Sequence, residues 1–130
     1  MDERERHTIG MAMRRKVLGD AHVDAALAKA GEPGAEFQDL LTRYAWGEIW
    51  TRPGLDERTR RILVLGTLVA LGRWDELAMH ARTALASGTL TQLELREILL
   101  QQAIYCGIPA ASSAFHAVLS LLEPSTPEAK

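Results

Sequence analysis

Residues 72–107 read GRWDELAMHARTALASGTLTQLELREILLQQAIYCG, and this stretch decides the fold class. Gly72 is a helix stop, a helix runs from about Trp74 to Ala86, and Gly88 follows its end. Thr91 with Glu94 three residues on matches a capping box, which opens a further helix that closes near Gly107. Apolar residues recur at three- and four-residue spacing between these breakers and strand signals are nearly absent, so the pattern is that of amphipathic helices.

The same reading extends in both directions. Pro109 suits the first turn of a last helix that stops near Pro124. Upstream, Asp56 can cap a helix through Leu71, apolar on nearly every side from Ile62 on and therefore expected to be central and buried. Phe37, Leu40, Leu41, Tyr44 and Ala45 draw the stripe of another helix, ended by the turn-forming run Thr51, Arg52, Pro53, Gly54. Ile9, Met13 and Val17 mark a first helix ending at Gly19, and Val23, Ala26, Leu27 and Ala30 a second, stopped by Gly31 and Pro33. The expected architecture is all-α: a compact bundle of six or seven helices in a single domain over 1–130. Residues 1–33 form an N-terminal helical arm and 124–130 a frayed tail, with short connections making neighbouring helices antiparallel.

Composition narrows the function. With 15 Lys and Arg against 17 Asp and Glu, the formal net charge of -2 gives no footprint for nucleic acid. A helix-turn-helix reading of the last two helices fails because residues 109–122 contain no Lys or Arg to meet phosphates or guanines. Cys106 is the one cysteine, which excludes an internal disulfide, a CxxC pair and a thiolate-rich zinc site and suits a reducing, cytoplasmic setting. The charged start Met1 to Arg6 has no signal-peptide plan. The most apolar run, Ile62 to Leu71, falls short of the roughly 20 residues of a membrane span, so no membrane partner is expected. Neither HExxH, GxSxG nor a glycine-rich phosphate loop occurs, so metal and nucleotide chemistry lack support.

Some residues fit a plain core poorly. Glu48 falls at the next step of the Phe37 to Tyr44 stripe, on the face expected to be buried. There it either pairs with Arg52 near a helix end or acts as a general acid. Arg73, Glu76, Leu77, His80 and Ala84 follow helical steps, so a cation, a carboxylate and an imidazole line one edge of an apolar stripe, where His80 is either structural or catalytic. Tyr105 and Cys106 face core or cleft, with structure the expected role for Cys106. His116 falls off its stripe and is expected on the surface unless a subunit interface covers it, and His7 and His22 are expected to be solvated.

Arg43 to Leu55, RYAWGEIWTRPGL, and Leu99 to His116, LLQQAIYCGIPAASSAFH, closely resemble 4-carboxymuconolactone decarboxylases. The resemblance continues through VLGDAHVD at Val17 to Asp24 and LVALGRWDELAMHARTALASGTLT at Leu68 to Thr91, so it spans nearly the whole chain. It implies the helical fold of the alkylhydroperoxidase D proteins, a homo-oligomer (trimer or hexamer) with sites near subunit contacts, and no cofactor. The CxxCxxxH motif of those hydroperoxidases aligns on Arg73, Glu76 and His80, so both redox cysteines are missing and thiol peroxidase chemistry is removed.

The implied activity converts a lactone dicarboxylate, 4-carboxymuconolactone, to 3-oxoadipate enol-lactone and carbon dioxide in protocatechuate breakdown. The resemblance and the residue pattern together point to His80 and Glu48 as proton donors, to Arg52 and Arg61 as anion anchors, and to Tyr105 and His116 as further substrate contacts. A related lactone acid as substrate, or a non-catalytic member of the same fold, stands as the alternative.

Overall fold

A computed structural model of the chain describes residues 1–122. The tail expected over 124–130 lies outside the described residues. Among those residues the elements are seven α-helices and one π-helix, with no strand: α1 (Glu3–Leu18), α2 (Asp20–Ala30), α3 (Ala35–Leu41), the π-helix (Thr42–Ile49), α4 (Glu57–Leu71), α5 (Trp74–Ala86), α6 (Gln92–Cys106) and α7 (Ile108–Leu122). The chain divides into two compact units, the first ending at Arg60 and the second beginning at Arg61.

Local chemistry sets the ends. Thr91 Oγ1 accepts from the Glu94 amide at 3.1 Å and the Glu94 carboxylate accepts from the Thr91 amide at 3.0 Å, closing the expected capping box of α6. Asp56 accepts from the Thr59 amide at 2.8 Å and so caps α4. A capping box not read from the sequence opens α1, where Asp2 accepts from the Glu5 amide at 2.8 Å. Gly72 and Gly107 stop α4 and α6 in the left-handed region, with φ of +70° and +97°.

In the first unit α1 packs along the π-helix, and α3 and α2 complete the cluster. The residues expected as an N-terminal arm are therefore integral to this unit, because α1 carries the face that covers the π-helix. The stripe Phe37, Leu40, Tyr44 is a correction: Phe37 is 64% exposed, and the buried positions are Thr42, Trp46 and Gly47. The inward face is made of small residues and one tryptophan, which a count of aliphatic positions passes over. The wide π-turn also breaks the 3.6-residue step on which the stripe was drawn.

The second unit has an aliphatic core. Leu65 and Val69 of α4, Leu77 and Ala81 of α5, Leu95 and Leu99 of α6 and Ala114 and Val118 of α7 form one buried cluster. The small alanines let α5 and α7 approach closely, and α7 also packs on α6. Gln102 on α6 donates to the Gly66 carbonyl at 3.2 Å, a polar tie between α6 and α4. α4 is not buried all round, as its run of apolar residues suggested. Arg61, Leu65 and Val69 face inward while Leu63 and Leu71 are exposed. The helix is thus apolar on both sides and buried on one.

Candidate active site

Glu48 is the last residue but one of the π-helix, and α1 runs beside it. An ideal Cβ on Gly47 would meet the Arg6 carbonyl oxygen at 2.4 Å, so the absence of a side chain there brings Arg6 up to the next residue, Glu48. One Glu48 oxygen accepts from Arg6 in a very short ion pair. The other accepts from Arg52 Nη1 at 3.0 Å, across an i, i+4 step. Both carboxylate oxygens are thus engaged by guanidinium groups. The pairing with Arg52 expected from the sequence is present, and the pairing with Arg6 is one that sequence distance concealed.

The cluster continues behind Arg6. Arg6 Nε lies 3.4 Å from Glu3, and Glu3 also accepts from Arg43 at 2.8 Å and from the Tyr44 hydroxyl at 2.9 Å. The bonds from Arg43 and then Tyr44 hold the Glu3 carboxyl below its ordinary range. The Arg6 and Arg43 guanidinium carbons lie 5.2 and 5.3 Å from the centroid of the Tyr44 ring, in cation–π range. Tyr44, read from the sequence as a core position, serves instead as a platform for two cations.

His80 lies on α5 in the second unit. Its ring is half-buried, and Nδ1 is sealed from solvent. One turn before it, Glu76 pairs with Arg73 through a very short contact, as the expected polar edge required. The Glu76 carboxyl is held below its ordinary range first by the backbone amide at the helix start and then by Arg73, with a smaller contribution from the His80 charge. Arg61, expected as an anion anchor, is only 2% exposed, and its Nη1 is enclosed. Tyr105 and His116 lie on the surface of the single chain, and Tyr105 is 77% exposed. Cys106 is half-buried against the aliphatic core, 3.5 Å from Gln102 Nε2, which is the structural placement expected of it.

The second unit also has a groove of about 580 Å³ between α4 and α6, floored by Gly66, walled by Leu63, Ala70 and Ile98 and rimmed by Glu97 and Gln101. None of the six site residues read from the sequence lines it. No group of three His, Cys, Asp or Glu among the described residues is placed to hold a metal ion, and no helix among them is long and apolar enough to cross a membrane.

A model of the carboxymuconolactone decarboxylase family matches residues 35–119. The chain belongs to this family. The match runs from α3 to α7 and takes in Glu48, Arg52, Arg61 and His80, while α1 with Arg6 precedes it. Among members with curated names, the 4-carboxymuconolactone decarboxylase of Acinetobacter baylyi is 40% identical over 116 residues, 89% of this chain and 86% of that protein. A nitrosuccinic acid decarboxylase of Metarhizium robertsii is 42% identical over 105 residues, 81% of this chain and 73% of that protein. A 4-carboxymuconolactone decarboxylase sequence of Pseudomonas putida is 52% identical over 48 residues, 37% of this chain and all of that sequence. Carboxymuconolactone decarboxylases are all-helical, as this chain is among its described residues.

Proposed function

We propose that the chain is a carboxy-lyase that decarboxylates 4-carboxymuconolactone to 3-oxoadipate enol-lactone. The observation that carries this reading is the 40% identity to the Acinetobacter enzyme over 89% of the chain. In that reaction the bond from the ring carbon to its carboxylate breaks and carbon dioxide leaves. The electron pair passes through the ring double bond to the lactone carbonyl oxygen, and the dienolate then takes a proton on carbon. The substrate supplies its own electron sink, so the protein has to anchor carboxylate, shield the departing group from water and deliver one proton.

His80 is the proposed proton donor, because its ring is half-buried and so partly shielded from bulk water. Arg52 is the proposed anion anchor. It is exposed, and one edge of its guanidinium is fixed by Glu48. The burial of Arg61 suits an internal counter-charge, and Tyr105 and His116 are in place to meet a ligand or a neighbouring subunit.

The Metarhizium relative favours a second reading, nitrosuccinic acid as substrate. The two acids share a pattern. Each is a succinate in which the carbon losing its carboxylate carries an electron acceptor, a nitro group in one and a vinylogous lactone in the other. Supplying purified protein with each acid separately, without added metal or nucleotide, and recording carbon dioxide release decides between them. Faster release from the lactone supports the first reading, faster release from nitrosuccinate the second, and no release from either removes both.

A homo-oligomer working in the cytoplasm completes the proposal. Leu93, Leu100 and Ile104 stand on one face of α6 at seven- and four-residue steps, all exposed, and the outer face of α4 adds Leu63 and Leu71. These exposed apolar side chains support a subunit contact on this face.

A further inference from the structure

We infer that Glu48 is a positioning residue, and that Arg6 from α1 acts through it to hold the Arg52 guanidinium as the receptor for the unreactive, carboxymethyl carboxylate of the substrate. This rests on the reading that the chain binds a succinate-type dicarboxylate, and it changes the role read for Glu48 from the sequence. A carboxyl group that serves as an acid turns an oxygen toward the reacting atom. Here each Glu48 oxygen accepts from a guanidinium.

The three side chains form a graded series. Arg6 is 17% exposed, Glu48 38% and Arg52 60%, so the chain of ion pairs runs from the interior of the first unit toward solvent. Its inner end is braced by Glu3 and by the Tyr44 ring. Its outer end is Arg52, whose Nη1 is taken by Glu48 and whose Nε and Nη2 bond to no described residue. A planar guanidinium tied along one side and open along the other is a receptor for a carboxylate.

The cluster is close to charge balance, with Arg6, Arg43 and Arg52 against Glu3, Glu48 and, acting on Arg43, Asp39. The backbone carrying Arg52 is also held: Arg60 donates to the Arg52 carbonyl at 3.1 Å and to the Leu55 carbonyl at 3.2 Å. A surface ion pair with no task gains little from such bracing.

The test measures steady-state carbon dioxide release from 4-carboxymuconolactone, and separately calorimetric binding of succinate as a non-reactive dicarboxylate. It uses full-length Arg6→Ala, Arg6→Lys, Glu48→Gln and Arg52→Ala. Positioning predicts that Arg6→Ala and Glu48→Gln raise KM about tenfold and leave kcat within about threefold. Arg52→Ala should raise KM further, and Arg6→Lys, which keeps the charge but not the fork, should fall between Arg6→Ala and wild type. Succinate affinity should fall in the same order. A hundredfold loss of kcat in Glu48→Gln at unchanged KM makes Glu48 the acid and overturns the inference, as does unchanged KM in both Arg6 variants. If Arg6→Ala does not fold, Arg6→Lys alone decides. If the wild-type protein releases no carbon dioxide, the proposed reaction fails, while succinate binding that still depends on Arg6 and Glu48 sustains the anchor; succinate affinity equal in all variants removes it.

Discussion

Gly10 of α1 and Gly47 of the π-helix face each other with almost nothing between their backbones. An ideal Cβ on Gly10 would stand 2.8 Å from the Gly47 nitrogen and 2.0 Å from the Thr42 carbonyl oxygen. Those neighbours are backbone atoms, which cannot swing aside as a flexible side chain can. Gly10→Ala is therefore expected to force the two helices apart and to lower stability by about 1–3 kcal/mol, read as a lower urea midpoint at unchanged slope. An Ala that left the midpoint at the wild-type value would show that the crossing is looser than described. The same helix pair carries Arg6 and Glu48, so weaker substrate binding is expected alongside.

His80 is the residue on which the proton step is expected to depend. His80→Ala should lower kcat by roughly 10²–10⁴-fold, the span of a lost general acid, with KM changed far less. Circular dichroism must show the variant folded, since the ring is half-buried on α5 beside the buried Met79 and Ala81. Wild-type turnover in a folded His80→Ala would take the imidazole out of the reaction.

The exposed face of α6 predicts an assembly that a single charge can disrupt. Ile104 is 78% exposed and lies four residues beyond Leu100 on the same face. Ile104→Glu should leave helix content intact and shift the mass found by light scattering toward the 14.3 kDa of one chain. A wild-type protein that is already monomeric at micromolar concentration would refute the homo-oligomer.

Acid should weaken the fold through three carboxylates that are held in their charged form. Asp56 is held below its usual range by its bonds with Thr59, Glu3 by Arg43 and Tyr44, and Glu76 by its helix-start amide and Arg73. Each has a folded value below its unfolded one, so the stabilisation is complete above the ordinary carboxylate range of about 4 and is lost as pH falls through the depressed values. The urea midpoint is expected to be flat from about pH 7 to 5 and to fall below about 4. Asp56→Asn, which keeps a cap acceptor without the charge, should flatten that fall. A midpoint unchanged down to pH 2 would contradict the assignment.

Helix boundaries were legible wherever they depend on local chemistry. The Thr91–Glu94 capping box, the Asp56 cap, the glycine stops at 72 and 107 and Pro109 in the first turn of α7 all act within four residues, which is the range a sequence pattern sees. The α3 to π-helix segment was misread because its inward face is Thr42, Trp46 and Gly47 rather than aliphatic, and because π-turns have no propensity signature. The burial expected of α4 failed for a different reason. An apolar run gives no sign of which of its sides packs on the chain itself, and here Leu63 and Leu71 stay exposed.

The candidate site divides in the same way. The Glu48–Arg52 pair and the Arg73, Glu76, His80 edge were legible as helical steps, whereas the Arg6–Glu48 pair joins residues 42 apart in sequence. The one signal for it was the glycine at 47, whose need for close backbone approach becomes evident only with α1 in place.

The π-helix at 42–49 makes the segment sensitive to counting as well as to composition. Were the coil to rewind to the ordinary helical pitch with all its residues kept, everything that follows would turn by about 100° and carry Glu48 and Arg52 off the side on which Arg6 waits. Swaps at its exposed Ala45 or Ile49 should therefore be absorbed, while a one-codon insertion, with the wide coil already in use, should abolish the arginine receptor even where the fold survives.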